Sequence, residues 1–200
     1  MNFDFIILNW THNYFQSEAL TIWVLILTDK NTFLWPGVAT ILAFLYLKKR
    51  QGVLFVLIAI ITVLLADGIS EKILKPLIAL PRPCHTSDFI LNQDNFFLNA
   101  IHCTTSFTFP STQAVNVFTL ATLWAGFFGK SGWVAFLFAI WVGWTRVYLG
   151  VHYPSDVFGG MLVGVAMGLL AIKLCRHIPL MEGLKAKKVS NEAVVKDIAL

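Results

Sequence analysis

The placement of the charges constrains this chain more than any other feature. Residues 31 to 47 carry none between Lys30 and Lys48, and the same is true of 51 to 66 between Arg50 and Asp67, 131 to 145 between Lys130 and Arg146, and 157 to 172 between Asp156 and Lys173. Each stretch is apolar and a little short of the roughly 20 residues that a helix needs to cross a bilayer. The flanking charges must therefore snorkel or face a polar cavity inside a bundle. With 57% hydrophobic and 13% charged residues, the 200-residue chain has more apolar surface than one soluble core can hide. No alternation of period two runs through successive segments, which argues against a barrel. The reading is an all-α polytopic membrane bundle of five or six transmembrane helices.

Spans are expected near 32–48, 53–79, 110–129, 132–150 and 154–174. The N-terminal part, "FDFIILNW" then "EALTIWVLIL", is interrupted by "THNYFQSE", so residues 1–30 read as an interfacial helix plus a short or re-entrant span. Residues 1 to 10 have no basic leader, so no cleavable signal is expected. Residues 95–109 are too polar and irregular for lipid and read as an extramembrane loop. Residues 31–175 then form the membrane core and 176–200 a cytoplasmic tail. Lys48, Lys49 and Arg50 read as one turn, Lys130 marks another, and Lys173, Arg176, Lys185, Lys187 and Lys188 follow the last span. The positive-inside rule makes all three places cytoplasmic and turns the loop 81–109 and His152 outward. The net charge of +4 comes largely from these residues, which suits anionic lipid headgroups and not nucleic acid.

Ionisable residues collect at the outer ends of the spans. Asp67, Glu71 and Lys75 recur every four residues and share one helix face, turned into the bundle because lipid would not tolerate them. "KPLIALPRP" follows, and on its own an ordinary helix end explains it. "FPSTQ", residues 109 to 113, is accounted for by helix initiation, yet free amides and the Ser111 hydroxyl at such a helix start also make an anion site. In "TRVYLGVHYPSD" Arg146 ends one span, and Asp156 stands four residues after His152. A carboxylate there can hold one imidazole nitrogen and leave the other as a nucleophile. Five groups suited to phosphate, Lys75, Arg82, Ser111, Arg146 and His152, meet at one rim.

These three strings together resemble the type 2 phosphatidic acid phosphatases (PAP2), membrane relatives of the vanadium haloperoxidases. The first motif, Lys, six residues, then Arg-Pro, is Lys75 to Pro83; the third is Arg146, His152 and Asp156. The second normally reads Pro-Ser-Gly/Thr/Ser-His, and here it is Pro110, Ser111, Thr112 and Gln113. The likeness runs from about residue 30 to 175 and departs at Gln113. It implies that Lys75, Arg82, Arg146, Ser111, Thr112 and nearby amides grip a phosphoryl group. His152 would attack phosphorus, oriented by Asp156, and the missing histidine would have protonated the leaving oxygen. No metal and no other cofactor are implied.

The resemblance points to a bacterial cytoplasmic-membrane lipid phosphatase with its site facing the periplasm or exterior. An isoprenoid carrier diphosphate such as undecaprenyl diphosphate is the favoured substrate; phosphatidic acid, phosphatidylglycerophosphate and lipid A phosphates are alternatives. A catalytically inactive or engineered binder of phospholipid headgroups, with Gln113 unable to act as an acid, is the second reading. The sequence sets no oligomeric state. Cys84 and Cys103 both fall in the outward loop, facing an oxidising compartment, and a disulfide between them is expected; Cys175 lies at the opposite end of the last span. His85 and His102 flank that pair. They read as solvated loop residues, with replacement of the missing acid as the alternative.

Overall fold

Glycines let two helices of the bundle pack backbone against backbone. On the last helix, Pro154–Cys175, Gly160, Gly164 and Gly168 recur every four residues along one face. A Cβ on Gly160 would fall 2.7 Å from the Ser111 carbonyl oxygen, one on Gly164 2.5 Å from that of Val115, and one on Gly168 2.6 Å from the Thr122 Cβ. Only a bare backbone fits, as in other membrane helix pairs joined through small residues. The partner is the helix Thr112–Phe128, whose Thr119 hydroxyl donates to the Gly164 carbonyl at 3.2 Å. This seam carries Ser111 to Asp156, where the Ser111 amide donates to the Asp156 carbonyl at 3.0 Å.

The computed structural model describes residues 3–28, 30–90 and 95–175, with helices and no strand among them. The tail 176–200 lies outside the described residues. In chain order the helices are α1 (Phe3–Phe15), α2 (Glu18–Thr28), α3 (Lys30–Ile69), α4 (Lys75–Ile78), α5 (Ser87–Ile90), α6 (Asn95–Ala100), α7 (Thr112–Phe128), α8 (Gly132–Tyr148) and α9 (Pro154–Cys175). A π-helical turn, Ser70–Leu74, joins α3 to α4. Among the described residues three stretches are long and apolar enough to cross a membrane: Gly52–Ile78, Thr112–Tyr148 and Pro154–Cys175. The middle one is two crossings. Gly129, at φ 63°, turns the chain, Phe118 on α7 meets Phe136 on α8 with ring centroids 6.2 Å apart, and Trp124 donates to the Ser131 hydroxyl at 3.0 Å.

The expected turn at Lys48, Lys49 and Arg50 is not present: all three lie inside α3. Charge alone does not stop a helix. Lys, Arg and Gln are good helix formers, and the stretch from Leu47 to Gln51 has no glycine or proline to break it. The lower part of α3 packs on α7 and α9 through Phe55, Ile58, Ala59, Leu123, Phe127 and Ile172. The outer loop also differs from expectation, because α5 and α6 stand within it. Phe89 and Phe97, each 1% exposed, give that loop a core of its own against Tyr148 and Leu149. The Cys84–Cys103 disulfide closes it.

At the same outer end α1 clamps the start of α9. The Asp4 carboxylate accepts the Ser155 amide at 2.9 Å and its hydroxyl at 2.7 Å. Leu8 is buried beneath α1, while Phe3, Ile6, Trp10 and Tyr14 are exposed.

Candidate active site

The site is assembled from helix ends and the loops between them. Backbone bonds stitch these together: Cys84 N–H to the Gly150 carbonyl at 3.1 Å, Thr108 N–H to Leu80 at 2.9 Å, and Val151 N–H to Arg146 at 3.2 Å. Gly150, at φ 62°, makes the sharp turn between α8 and His152. The result buries groups that rarely leave water. His152, Thr108 and Ser111 are 0% exposed, Asp156 1%, Lys75 3% and Arg82 7%. Such groups are expensive to bury unless paired or functional.

Arg82 is fixed on three sides. Its Nε donates to the Ser106 carbonyl at 2.9 Å, Nη2 to the Ser106 hydroxyl at 2.9 Å, and Nη1 to the Val151 carbonyl at 3.0 Å. The same Nη1 lies 3.2 Å from His152 Nε2. A guanidinium has only donors, so Nε2 accepts, and the proton of the neutral ring sits on Nδ1. The Nε2 lone pair of the imidazole therefore points toward the Arg82 guanidinium. Burial lowers the His152 pKa from its ordinary value, the nearby Arg82 and Lys75 charges push the same way, and Asp156 opposes them. Burial also lowers the Arg82 pKa, against the attraction of Glu71 and Asp156.

Asp156 does not hold the imidazole directly. Its Oδ2 stands 3.6 Å from Nδ1, outside hydrogen-bonding distance, and instead accepts the Thr108 hydroxyl at 2.5 Å and the Tyr153 amide at 2.6 Å. The expected pair is thus present as a charge contact, and the loop before Pro110 sets the Thr108 hydroxyl between the two groups. On the other side, Glu71 binds both Lys75 Nζ and the Thr112 hydroxyl, each at 2.5 Å. Asn116 donates to Asp67 at 3.0 Å one turn further down. The shared face of Asp67, Glu71 and Lys75 thus turns toward α7.

Ser111 occupies the cap position of α7 without a side-chain cap bond, and its buried Oγ has no partner among the described residues. Helix initiation does not account for it. Arg146 is half-buried, its guanidinium donating to the Thr145 hydroxyl at 3.3 Å. Gln113 is exposed, and no hydrogen bond of its side chain occurs among the described residues. The His85 ring lies 3.0 Å from the Thr104 carbonyl and 3.4 Å from Cys103 Sγ, and His102 is exposed; neither bonds a site residue. Cys84, His85 and Cys103 place ligand-type atoms within 4.8 Å of one another, but the disulfide leaves neither sulfur as a thiolate. Thr108 and Ser106 carried no motif in the sequence; their only signal was nearness to Pro110.

Fold and site together define a helical membrane protein with a buried cluster of a histidine and cations at one end of its bundle. Residues 53–177 match the PAP2 superfamily, and the chain belongs to that family. It is 27% identical over 142 residues to the lipid A 4'-phosphatase of Bacteroides thetaiotaomicron, covering 66% of this chain and 60% of that protein. It is 30% identical over 63 residues to the undecaprenyl-diphosphatase BcrC of Bacillus subtilis, 32% of this chain and 33% of that one. The crystal structure of a PAP2-type phosphatidylglycerolphosphate phosphatase from Bacillus subtilis matches it with a TM-score of 0.62 and 27% identity, over 88% of this chain and 85% of that chain. The chain thus stands among bacterial membrane proteins of the PAP2 lipid phosphatase family.

Proposed function

We propose that this protein hydrolyses a lipid phosphate through a phosphohistidine formed on His152. The observation that carries the reading is the company of two buried groups: a Ser111 hydroxyl without a partner among the described residues, and a His152 Nε2 lone pair held only by the Arg82 cation. A phosphoryl group bound there would take Arg82 Nη1 from Nε2, while Lys75, Arg146, Ser111, Thr112 and the free amides of α7 neutralise its oxygens. Nε2 then forms a bond to phosphorus as the bond to the leaving oxygen breaks, that oxygen keeping the electron pair. Water attacks next, the nitrogen–phosphorus bond breaks, and Nε2 regains its lone pair.

The favoured substrate is a lipid diphosphate, undecaprenyl diphosphate being the leading candidate. An alkoxide leaving from a monoester is strongly basic and needs an acid, whereas a phosphate leaving from a diphosphate needs little protonation. Gln113 offers at most a neutral amide donor. The relatives act by name on lipid A and undecaprenyl diphosphate, which keeps lipid A phosphates, phosphatidic acid and phosphatidylglycerophosphate as alternatives. We read the site as periplasmic or exterior, a reading supported by Lys130 at the opposite end of the α7–α8 hairpin. A second reading, a headgroup binder without turnover, draws on the exposed Gln113, whose side chain makes no hydrogen bond among the described residues.

Phosphate release from undecaprenyl diphosphate by the purified protein tests both. Release that disappears in His152→Ala supports the phosphatase. No release by the unchanged chain, with retained binding of the lipid, supports the binder.

A further inference from the structure

The hydroxyl between His152 and Asp156 is more than packing. Arg82 fixes Nε2 as an acceptor and so puts the ring proton on Nδ1. Two oxygens face that proton. Asp156 Oδ2 is 3.6 Å away, and Thr108 Oγ1 is 3.2 Å away. Only the second lies within hydrogen-bonding distance. The hydroxyl can accept from Nδ1 while donating its own proton to Oδ2, 2.5 Å off. Each atom then has one consistent role: Arg82 donates to the ring, the ring to Thr108, and Thr108 to the carboxylate. The Thr108 amide is anchored to the Leu80 carbonyl, two residues before Arg82, which ties the segment holding Arg82 to the segment holding Thr108. Thr108 and His152 are 0% exposed, which shuts water out as a substitute.

We propose that Thr108 is a positioning residue that carries the hydrogen bond from His152 to Asp156, so that the carboxylate acts on the imidazole through the threonine hydroxyl. This rests on the phosphohistidine reading for its kinetic consequence but not for its geometry. No proton changes carrier: the series fixes the Nδ1–H tautomer and lets the carboxylate favour the positive charge that grows on the ring as Nε2 bonds to phosphorus.

Thr108→Val keeps the shape and removes the hydroxyl; Thr108→Ser keeps the hydroxyl. Loss of the partner that fixes the tautomer and orientation of a metal-ligating imidazole costs on the order of 10- to 100-fold, and the same kind of orienting contact is removed here. The expected result is a fall of that size in kcat for Thr108→Val with KM nearly unchanged, and recovery in Thr108→Ser. Asp156→Asn should slow the unchanged chain strongly but add little in the Thr108→Val background, because its route to the ring is already cut. Equal effects of Asp156→Asn in both backgrounds, or an unchanged kcat in Thr108→Val, overturn the proposal. Proton NMR of the purified protein provides a readout that needs no turnover. A downfield Nδ1 proton, assigned by its loss in His152→Ala, should be present in the unchanged chain and Thr108→Ser and absent in Thr108→Val. Its survival in Thr108→Val shows a direct bond to Asp156 and sinks the relay, while an inactive chain that shows the predicted NMR pattern sinks only the phosphatase reading.

Discussion

Lys75 Nζ and Glu71 Oε1 are paired at 2.5 Å, one turn apart at the outer end of the α3–α4 rod. The Lys75 side chain is 4% exposed and the Glu71 side chain 39%, so the cation is the buried partner and the acid its link to solvent. An arriving phosphate must compete with this carboxylate. Glu71→Gln should therefore lower KM for an anionic lipid several-fold while changing kcat less. A raised KM in steady-state assays would show instead that Glu71 holds Lys75 in place for the substrate.

The pH profile follows from the burial of His152. The nucleophile is the neutral ring, and burial lowers its pKa from the ordinary 6.5. Activity should persist as pH falls through 6.5 and decline only below it, as read from kcat/KM. Asp156 is the one charge favouring the cation against Arg82 and Lys75, so Asp156→Asn should move the acid limb still lower. Stability has the same origin. The unfolded chain takes up a proton near 6.5 and the folded ring does not, so the fold loses stability as pH drops from there toward the lowered folded value. Chemical denaturation at several pH values, compared with His152→Ala, measures it.

Gln113→His restores the residue that the PAP2 second motif usually carries. General acid catalysis contributes about 10²- to 10⁴-fold, most where the leaving oxygen is most basic. The variant should gain much more on phosphatidic acid than on undecaprenyl diphosphate. Equal gains on the two would remove the leaving-group explanation for the diphosphate preference.

Joining Cys84 to Cys103 closes a loop with a sequence separation of 19. Such a closure restricts the unfolded chain by roughly 3 kcal/mol. Cys84→Ser combined with Cys103→Ser should lower the thermal midpoint and raise KM, since the bridge ties the segment after Arg82 to the segment holding Ser106 and Thr108. A midpoint equal to that of the unchanged chain would show that the buried Phe89 and Phe97 hold the loop alone.

The α7–α9 seam has its own test. A Cβ at Gly164 would meet the Val115 carbonyl oxygen at 2.5 Å, which is backbone and cannot step aside. Gly164→Leu should separate the helices and abolish activity along with stability, whereas Leu169→Ala on the exposed side, where Leu169 is 56% exposed, should leave both near their starting values. Tryptophan fluorescence on heating and phosphate release read the two.

The sequence carried the crossings well because hydropathy and charge spacing are local properties. The span expected at 154–174 is α9, and the Asp67, Glu71, Lys75 face meets Asn116 and Thr112 as the helical period requires. Four-residue spacing also put His152 and Asp156 together, but it could not show the hydroxyl of Thr108 between them, because that residue arrives from an irregular segment 44 positions away. The clamp of Asp4 on Ser155 joins residues 151 positions apart and left no periodic trace. Lys48 to Arg50 misled for the opposite reason: a local charge run was read as a break where the backbone had no cause to bend.

The π-helical turn at Ser70–Leu74 has a consequence for how this chain tolerates length changes. Such a turn contains one residue more than the α-helical path it replaces, and one residue of α-helix is about 100° of rotation. Removing a single position from it, for instance the 58% exposed Ile73, lets the segment relax to ordinary helix without disturbing the core below. Because the surplus residue is the one lost, everything beyond keeps its angle, and Lys75 falls three residues after Glu71, still on the same face. The rod from Gly52 to Ile78 thus has slack at this point, where a residue can be dropped, whereas the same loss in the α-helical turns before it would swing Lys75 round by about 100°.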